Sequence, residues 1–192
     1  MRHLFFVLPI VLAIATPALA QSDLDRETQA ARALAGQLVQ QLGTTLKAEL
    51  AANGPEGAIG VCREVAPAIA GNLSRQSGSK VARVSLRTRN AMLGAPDAWE
   101  QAVLADFDRR SAAGDKPDAL ERAEFVDEPA GRYFRYLKAI PVQPMCLACH
   151  GAPENIPEGV KAKLAVDYPK DRATGYAPGQ IRGAVTVKKP LN

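Results

Sequence analysis

Met145-Cys146-Leu147-Ala148-Cys149-His150-Gly151 is the stretch on which the reading of this 192-residue chain turns. Cys-x-x-Cys-His is the attachment signature of a c-type haem. Each thiol adds to one vinyl group of a porphyrin, and the histidine beside the second cysteine is placed under the iron as an axial ligand. A bare Cys-x-x-Cys also serves as a redox dithiol or as half of a zinc site. Zinc needs a second pair of ligands, and beyond the first 20 residues the chain has only Cys62 and no other histidine to supply them. A redox dithiol is expected in a βαβ setting that opens a helix, whereas Leu137 to Pro144 reads as a strand or loop running into the motif. The motif therefore predicts one haem c, held through Cys146 and Cys149 and ligated by His150.

The N-terminus fits that chemistry. Met1-Arg2-His3 is a basic n-region, Leu4 to Ala15 an apolar h-region, and Ala18-Leu19-Ala20 an A-x-A cleavage site before Gln21. The apolar run, interrupted by Pro9, is short of the ~18 residues that a spanning helix needs. Residues 1–20 are thus expected to be a cleaved signal peptide, leaving 172 residues as a single domain, 21–192, that does not span the membrane. Because c-type haem is attached outside the cytoplasm in bacteria, the expected location is the periplasm. The formal charge of +4 drops to +3 with loss of Arg2, and two haem propionates would offset most of it. No run of Lys and Arg with interleaved aromatics points to nucleic acid.

Cysteine arithmetic leaves Cys62 without a disulfide partner. His150 is the only histidine after residue 20, so bis-histidine ligation within one chain is excluded. Asp23 to Asn53 reads as a helix with Leu34, Leu38, Leu42, Leu46 and Leu50 at four-residue intervals, stopped by Asn53-Gly54-Pro55. That ladder implies core packing or a helix seam, and makes the N-terminal helix the candidate face for a homodimer. Pro55 to Ser74 reads as a second helix whose face carries Ala58, Cys62, Val65, Ile69 and Leu73, which turns Cys62 inward. Pro67 is expected to bend it near the cysteine. From the residues alone, the sixth iron ligand is Cys62, Met92, water or none.

Strands are expected at Lys80 to Leu86, Arg122 to Asp127, Arg132 to Ile140 and Ile181 to Val187. Helices are expected at Pro96 to Ala112, with Trp99, Val103, Leu104 and Phe107 as a core stripe, and at Pro157 to Val166. Helices followed by mostly antiparallel strands make an α+β pattern, with N-terminal helices over about 23–74 and a sheet and haem-binding part over about 80–192. The polar turn Arg87-Thr88-Arg89-Asn90 offers Arg87 and Arg89 as bidentate partners for haem propionates, or as a solvated pair.

Several ordered segments resemble a known family: Cys62-Arg63-Glu64-Val65-Ala66-Pro67; Arg83-Val84-Ser85-Leu86-Arg87-Thr88-Arg89-Asn90; Pro96-Asp97-Ala98-Trp99-Glu100; the Cys-x-x-Cys-His motif; and Tyr168-Pro169-Lys170-Asp171-Arg172-Ala173-Thr174-Gly175-Tyr176 leading to Ile181-Arg182-Gly183-Ala184. Together they resemble the Tll-type, PAS-like haem c domain family, which occurs as free periplasmic proteins and as sensing modules. The resemblance implies a PAS-like antiparallel sheet preceded by long helices, and one covalent haem with histidine on one side of the iron and cysteine on the other. By position these are His150 and Cys62. The chain departs from the family at Ala91-Met92-Leu93-Gly94, where a proline and a more polar turn are expected, and this introduces Met92 as a rival ligand.

The expected function is that of a periplasmic mono-haem c-type cytochrome acting as a redox- or gas-responsive sensor. A thiolate favours ferric iron, and on reduction it would take up a proton and leave, opening a site for a diatomic gas. The alternative is a plain electron-transfer cytochrome with both ligands permanently bound. In either case the partner is a periplasmic redox or signalling protein. A peroxidase would need distal acid/base groups, and nothing in the spacing of Glu64, Glu100 or Arg89 singles one out, so no enzymatic activity is expected.

Overall fold

The computed structural model describes residues 17–191; the n-region and h-region of the expected signal peptide lie outside the described residues. Helices α1 (Pro17–Gly60) and α2 (Ala66–Ser77) cover one face of a sheet and α3 (Ala98–Ala112) covers the other. The sheet is formed by β1 (Lys80–Val84), β2 (Glu121–Glu128), β3 (Gly131–Pro141) and β4 (Ile181–Leu191), all antiparallel, in the order β1-β4-β3-β2. This is the expected α+β, PAS-like arrangement. Among the described residues no helix is long and apolar enough to cross a membrane.

Gly54 and Pro55 break α1 where the sequence predicts a stop. Gly54 adopts φ 68° and ψ −173°, outside the helical region, and Pro55 starts the next helical segment. The bend expected from Pro67 takes the form of a π-helical turn over Val61–Val65, which the Ala66 N–H closes onto the Val61 carbonyl. Pro67 has no N–H for the Arg63 carbonyl, and widening the preceding turn by one residue relieves the crowding of its ring. Cys62 lies inside that turn.

Both sheet faces are buried. Ala31, Ala35 and Leu38 of α1, with Ile69 and Leu73 of α2, pack on Phe134, Tyr136, Val185 and Val187. Val103, Leu104 and Phe107 of α3 pack on Leu137, Ala139, Ala184 and Ile181. Alternation along β3 turns Arg135 toward α3, where it is 1% exposed. It donates to Asp97 (2.7 Å) and Glu128 (2.5 Å), lies 3.5 Å from Glu100, and stacks 4.6 Å over Trp99. Asp97 and Glu100 form a reciprocal capping box at the start of α3, so one guanidinium fastens the helix N-terminus to the sheet.

Strand β1 ends two residues earlier than expected. The Ser85 hydroxyl turns the chain: it donates to the Arg182 carbonyl (2.8 Å), with the Arg87 carbonyl 3.0 Å away, and its oxygen accepts from the Arg87 N–H (3.1 Å). Strand β4 contains a bulge: Ile140 faces Gly183 and Pro141 faces Ile181, which leaves Arg182 unpaired. Gly183 has φ 156°, and a Cβ there would strike the Val84 carbonyl. Gly183→Ala is expected to cost about 1–3 kcal/mol, read as a lower urea midpoint at unchanged slope.

Three carboxylates are held below their usual range. At Asp97 the Glu100 N–H and Arg135 outweigh a burial effect that acts upward; at Glu121 a hydrogen bond from Arg32 dominates; at Glu128 one from Lys188 does. A depressed folded value gives stability that is present above the unfolded value, about 4, and lost as pH falls through the folded one. Urea midpoints should therefore fall on acidification below about pH 5, and less steeply in Glu121→Gln.

Candidate functional site

The Cys-x-x-Cys-His segment forms a short 3-10 turn, Pro144–Cys146, followed by one turn of helix, α4 (Leu147–His150). Gly151 follows because a side chain there would collide with the Leu147 carbonyl. The 171–176 loop is strapped along this turn: the Gly175 N–H donates to the Gly151 carbonyl (2.6 Å) and the Tyr176 N–H to the His150 carbonyl (2.9 Å).

His150 Nδ1 lies 2.6 Å from the Ala173 carbonyl, which can only accept, so the proton sits on Nδ1. The lone pair is left on Nε2, which accepts from Arg182 Nε at 3.4 Å. Burial, reinforced by the positive charges of Arg182 and Arg89, holds the imidazole well below its ordinary value near 6.5, which keeps it neutral. A neutral imidazole with Nδ1–H tied to a carbonyl is the form in which Nε2 binds a metal.

His150 belongs to the wall of a cavity of about 850 Å³ between α1, α2 and the β1–β4 side of the sheet. Leu38, Leu42, Leu46 and Leu50 all line it, and Leu38 and Leu42 also pack on the sheet core, so the leucine ladder serves both. Cys62, Cys146 and Cys149 all line it. Burial pushes the Cys149 thiol up.

Of the residues expected in the site, His150, Cys146, Cys149 and Cys62 are thus brought to one cavity. Met92 is not. The Asn90 side chain accepts from the Met92 and Leu93 N–H groups (3.0 Å each), and this tight turn leaves Met92 92% exposed. Arg63 points away from Cys62 to Asp167 (2.6 Å), and Glu64 is exposed. Glu100 is committed to the α3 cap, across the sheet from the cavity.

Arg87 and Arg89 are both taken up by protein acceptors. Arg87 donates to the carbonyls of Arg172 (3.3 Å) and Thr174 and stacks 4.3 Å over Tyr176. Arg89 joins Asp171 (3.0 Å), the Cys149 carbonyl (2.5 Å) and the Ala173 carbonyl (3.4 Å). They hold the loop that holds the histidine.

A sequence profile of the Tll0287-like family matches residues 18–190. The chain belongs to the Tll0287-like family. Among solved structures it is similar to the cyanobacterial heme-protein Tll0287, with 28% identity, a TM-score of 0.59, and coverage of 93% of this chain and 98% of that one. No curated protein matches. The Tll0287-like match takes in every cavity-lining segment from α1 to β4.

Sequence reasoning assigned no role to Arg83, Tyr168 or Arg182, all in the cavity wall. Strict alternation from Val185 and Val187 would turn Arg182 toward α3; the bulge inverts it, so Ile181 packs on that side and Arg182 enters the cavity. The glycine inside a strand pattern at position 183 was the available signal. Arg182 Nη1 donates to Ser85 Oγ (3.0 Å) and the Arg87 carbonyl (3.2 Å). Among the described residues neither Arg83 nor Arg182 has a carboxylate partner, and Asp171 is paired with Arg89. Arg89→Ala should leave Asp171 buried and unpaired and cost about 3–5 kcal/mol in urea unfolding, against a smaller loss for Arg87→Ala.

Proposed function

We propose that this chain is an exported periplasmic mono-haem c-type cytochrome with His150 and Cys62 as axial ligands, acting as a redox- or gas-responsive sensor. The observation that carries the reading is one cavity lined by both attachment cysteines, an imidazole whose Nδ1 proton is held by a carbonyl, an additional cysteine and two guanidinium groups with no carboxylate partner among the described residues. The residues present fit haem c: two thiols for its vinyl groups, nitrogen and sulfur for its iron, and two uncompensated cations for its two carboxylates. Bound there, haem supplies one-electron exchange and, where an axial position opens, a site for a diatomic gas.

The chain's own groups do the positioning. Cys146 and Cys149 fix the cofactor to α4, and the Ala173 carbonyl holds the Nδ1 proton, which leaves the lone pair on Nε2. With Nε2 holding the iron, Arg182 Nε would no longer donate to that nitrogen. Arg83 and Arg182, rather than the committed Arg87 and Arg89, are the partners proposed for the propionates. Cys62 sits in a π-helical turn, a feature frequent at functional sites, and relaxation of that turn by one residue would move its sulfur. That supports a responsive role over a fixed one. Export is supported by the basic, apolar and A-x-A segments at the N-terminus, and the partner is a periplasmic redox or signalling protein.

The test is spectroscopic. Full-length protein made in a haem c-maturing periplasm should keep its haem through acid-acetone extraction and give a pyridine haemochrome spectrum of the two-thioether type. Cys62→Ala should shift the ferric absorption bands and convert the low-temperature electron paramagnetic resonance signal from a thiolate-ligated low-spin form. Unchanged spectra would remove Cys62 from the iron. Carbon monoxide should bind on reduction; a reduced protein that stays six-coordinate and refuses it is a plain electron carrier.

A further inference from the structure

Two sets of residues alternate along the helix after Cys62. Ile69 and Leu73 pack in the sheet core with Phe134, Tyr136, Val185 and Val187. Ala66, Ala70 and Ser74 line the cavity, and Cys62 lines it with them. In a regular α-helix each residue turns about 100° from the one before, which puts Cys62 within about 20° of both Ile69 and Leu73. The face expected from the sequence, Ala58, Cys62, Val65, Ile69 and Leu73, is that regular-helix face. On the same count Ala66, Ala70 and Ser74 spread from about 40° to about 120° away from Cys62. An unbroken α-helix would therefore turn Cys62 to the sheet core.

The π-helical turn over Val61–Val65 changes the count. The Ala66 N–H reaches the Val61 carbonyl, five residues back instead of four, so the turn holds one surplus residue. Everything beyond it is set back by about 100° relative to Cys62. Ala66, Ala70 and Ser74 then centre on the direction of Cys62, and Ile69 and Leu73 move to about 80° to 120° from it. That is the observed division between cavity wall and core. Pro67 follows the turn directly, with no N–H for the Arg63 carbonyl and a ring that crowds it.

We infer that Pro67 is a positioning residue: by imposing the wide turn it rotates Cys62 out of the face of Ile69 and Leu73 and into the cavity. This rests on the Cys62 ligation proposed above and adds the residue that aims the ligand.

The test uses the haem-loaded full chain. Pro67→Ala restores the missing N–H and lets the surplus residue move to the N-terminal side of Cys62, toward Gly60 and Gly57. It should lose the thiolate-ligated low-spin resonance signal and approach the spectra of Cys62→Ala although the thiol is still present, with haem content and far-ultraviolet circular dichroism equal to the parent. Deleting Glu64, an exposed residue of the turn, together with Pro67→Ala removes the surplus residue itself. Ala66, Ala70 and Ser74 then stand three, seven and eleven positions after Cys62 on one face of a regular helix, and the thiolate signal should return. A Pro67→Ala protein that keeps the parent's signal overturns the inference, as does a double variant that stays without it. Loss of helix content or haem in Pro67→Ala also overturns it, since a proline that only aims Cys62 is not needed to fold the helix. Should Cys62→Ala leave the spectra untouched, the ligation fails and the Pro67 role falls with it, an outcome distinct from a ligated Cys62 that ignores Pro67.

Discussion

One buried guanidinium holds the site together. Arg89 reaches from the turn after β1 to the Cys149 carbonyl at the end of the attachment motif, to the Ala173 carbonyl and to Asp171. The Ala173 carbonyl in turn holds the His150 Nδ1 proton. Three segments, each some tens of residues from the next, are thereby fixed to one another by charge-assisted bonds in a poorly solvated place, where such bonds are strongest and where losing one partner is most costly. Arg87 repeats the device on the outside of the same loop. The histidine's tautomer, its neutrality and the direction of Nε2 all depend on this clamp.

The cavity beside the clamp exists because α1 is longer than the sheet needs. Its first half packs on β3 and β4, Leu38 and Leu42 are shared between that core and the cavity wall, and Leu46 and Leu50 continue along the wall. The break at Gly54 brings the helical segment carrying Cys62 back against that space. On the opposite face, Arg135 performs a structural task, joining the α3 cap to the sheet through Asp97, Glu100 and Glu128. The sheet thus carries a compensated charge cluster under α3 and, in the cavity wall, two guanidinium groups, Arg83 and Arg182, with no carboxylate partner among the described residues.

Much of this architecture was legible from sequence. The helix stop at Asn53-Gly54-Pro55 and the helix read over Pro96 to Ala112 are local signals in which backbone freedom or capping decides, and the structure places both within two residues of where they read. Pro67 announced a bend, which the structure realises as a π-helical turn over Val61–Val65. Arg87 and Arg89 stood out as a pair for carboxylates, yet their acceptors turned out to be carbonyls and a carboxylate about eighty residues away, which no local pattern can reveal. Met92 failed to reach the site because the Asn90 side chain closes the turn beneath it.

By itself the sequence determined the Cys-x-x-Cys-His segment, the count of one histidine and one further cysteine beside it after residue 20, and the order of helices before strands, since these follow from residue identity, count and short-range periodicity. Tertiary structure alone decided which nitrogen of His150 carries the proton, that Cys62 shares a cavity with it, and that Arg182 faces inward. The physical reason is that a β-bulge, a carbonyl across a loop and the overhang of one helix are set by long-range packing, and a one-residue offset in a strand reverses the side on which a charge is buried.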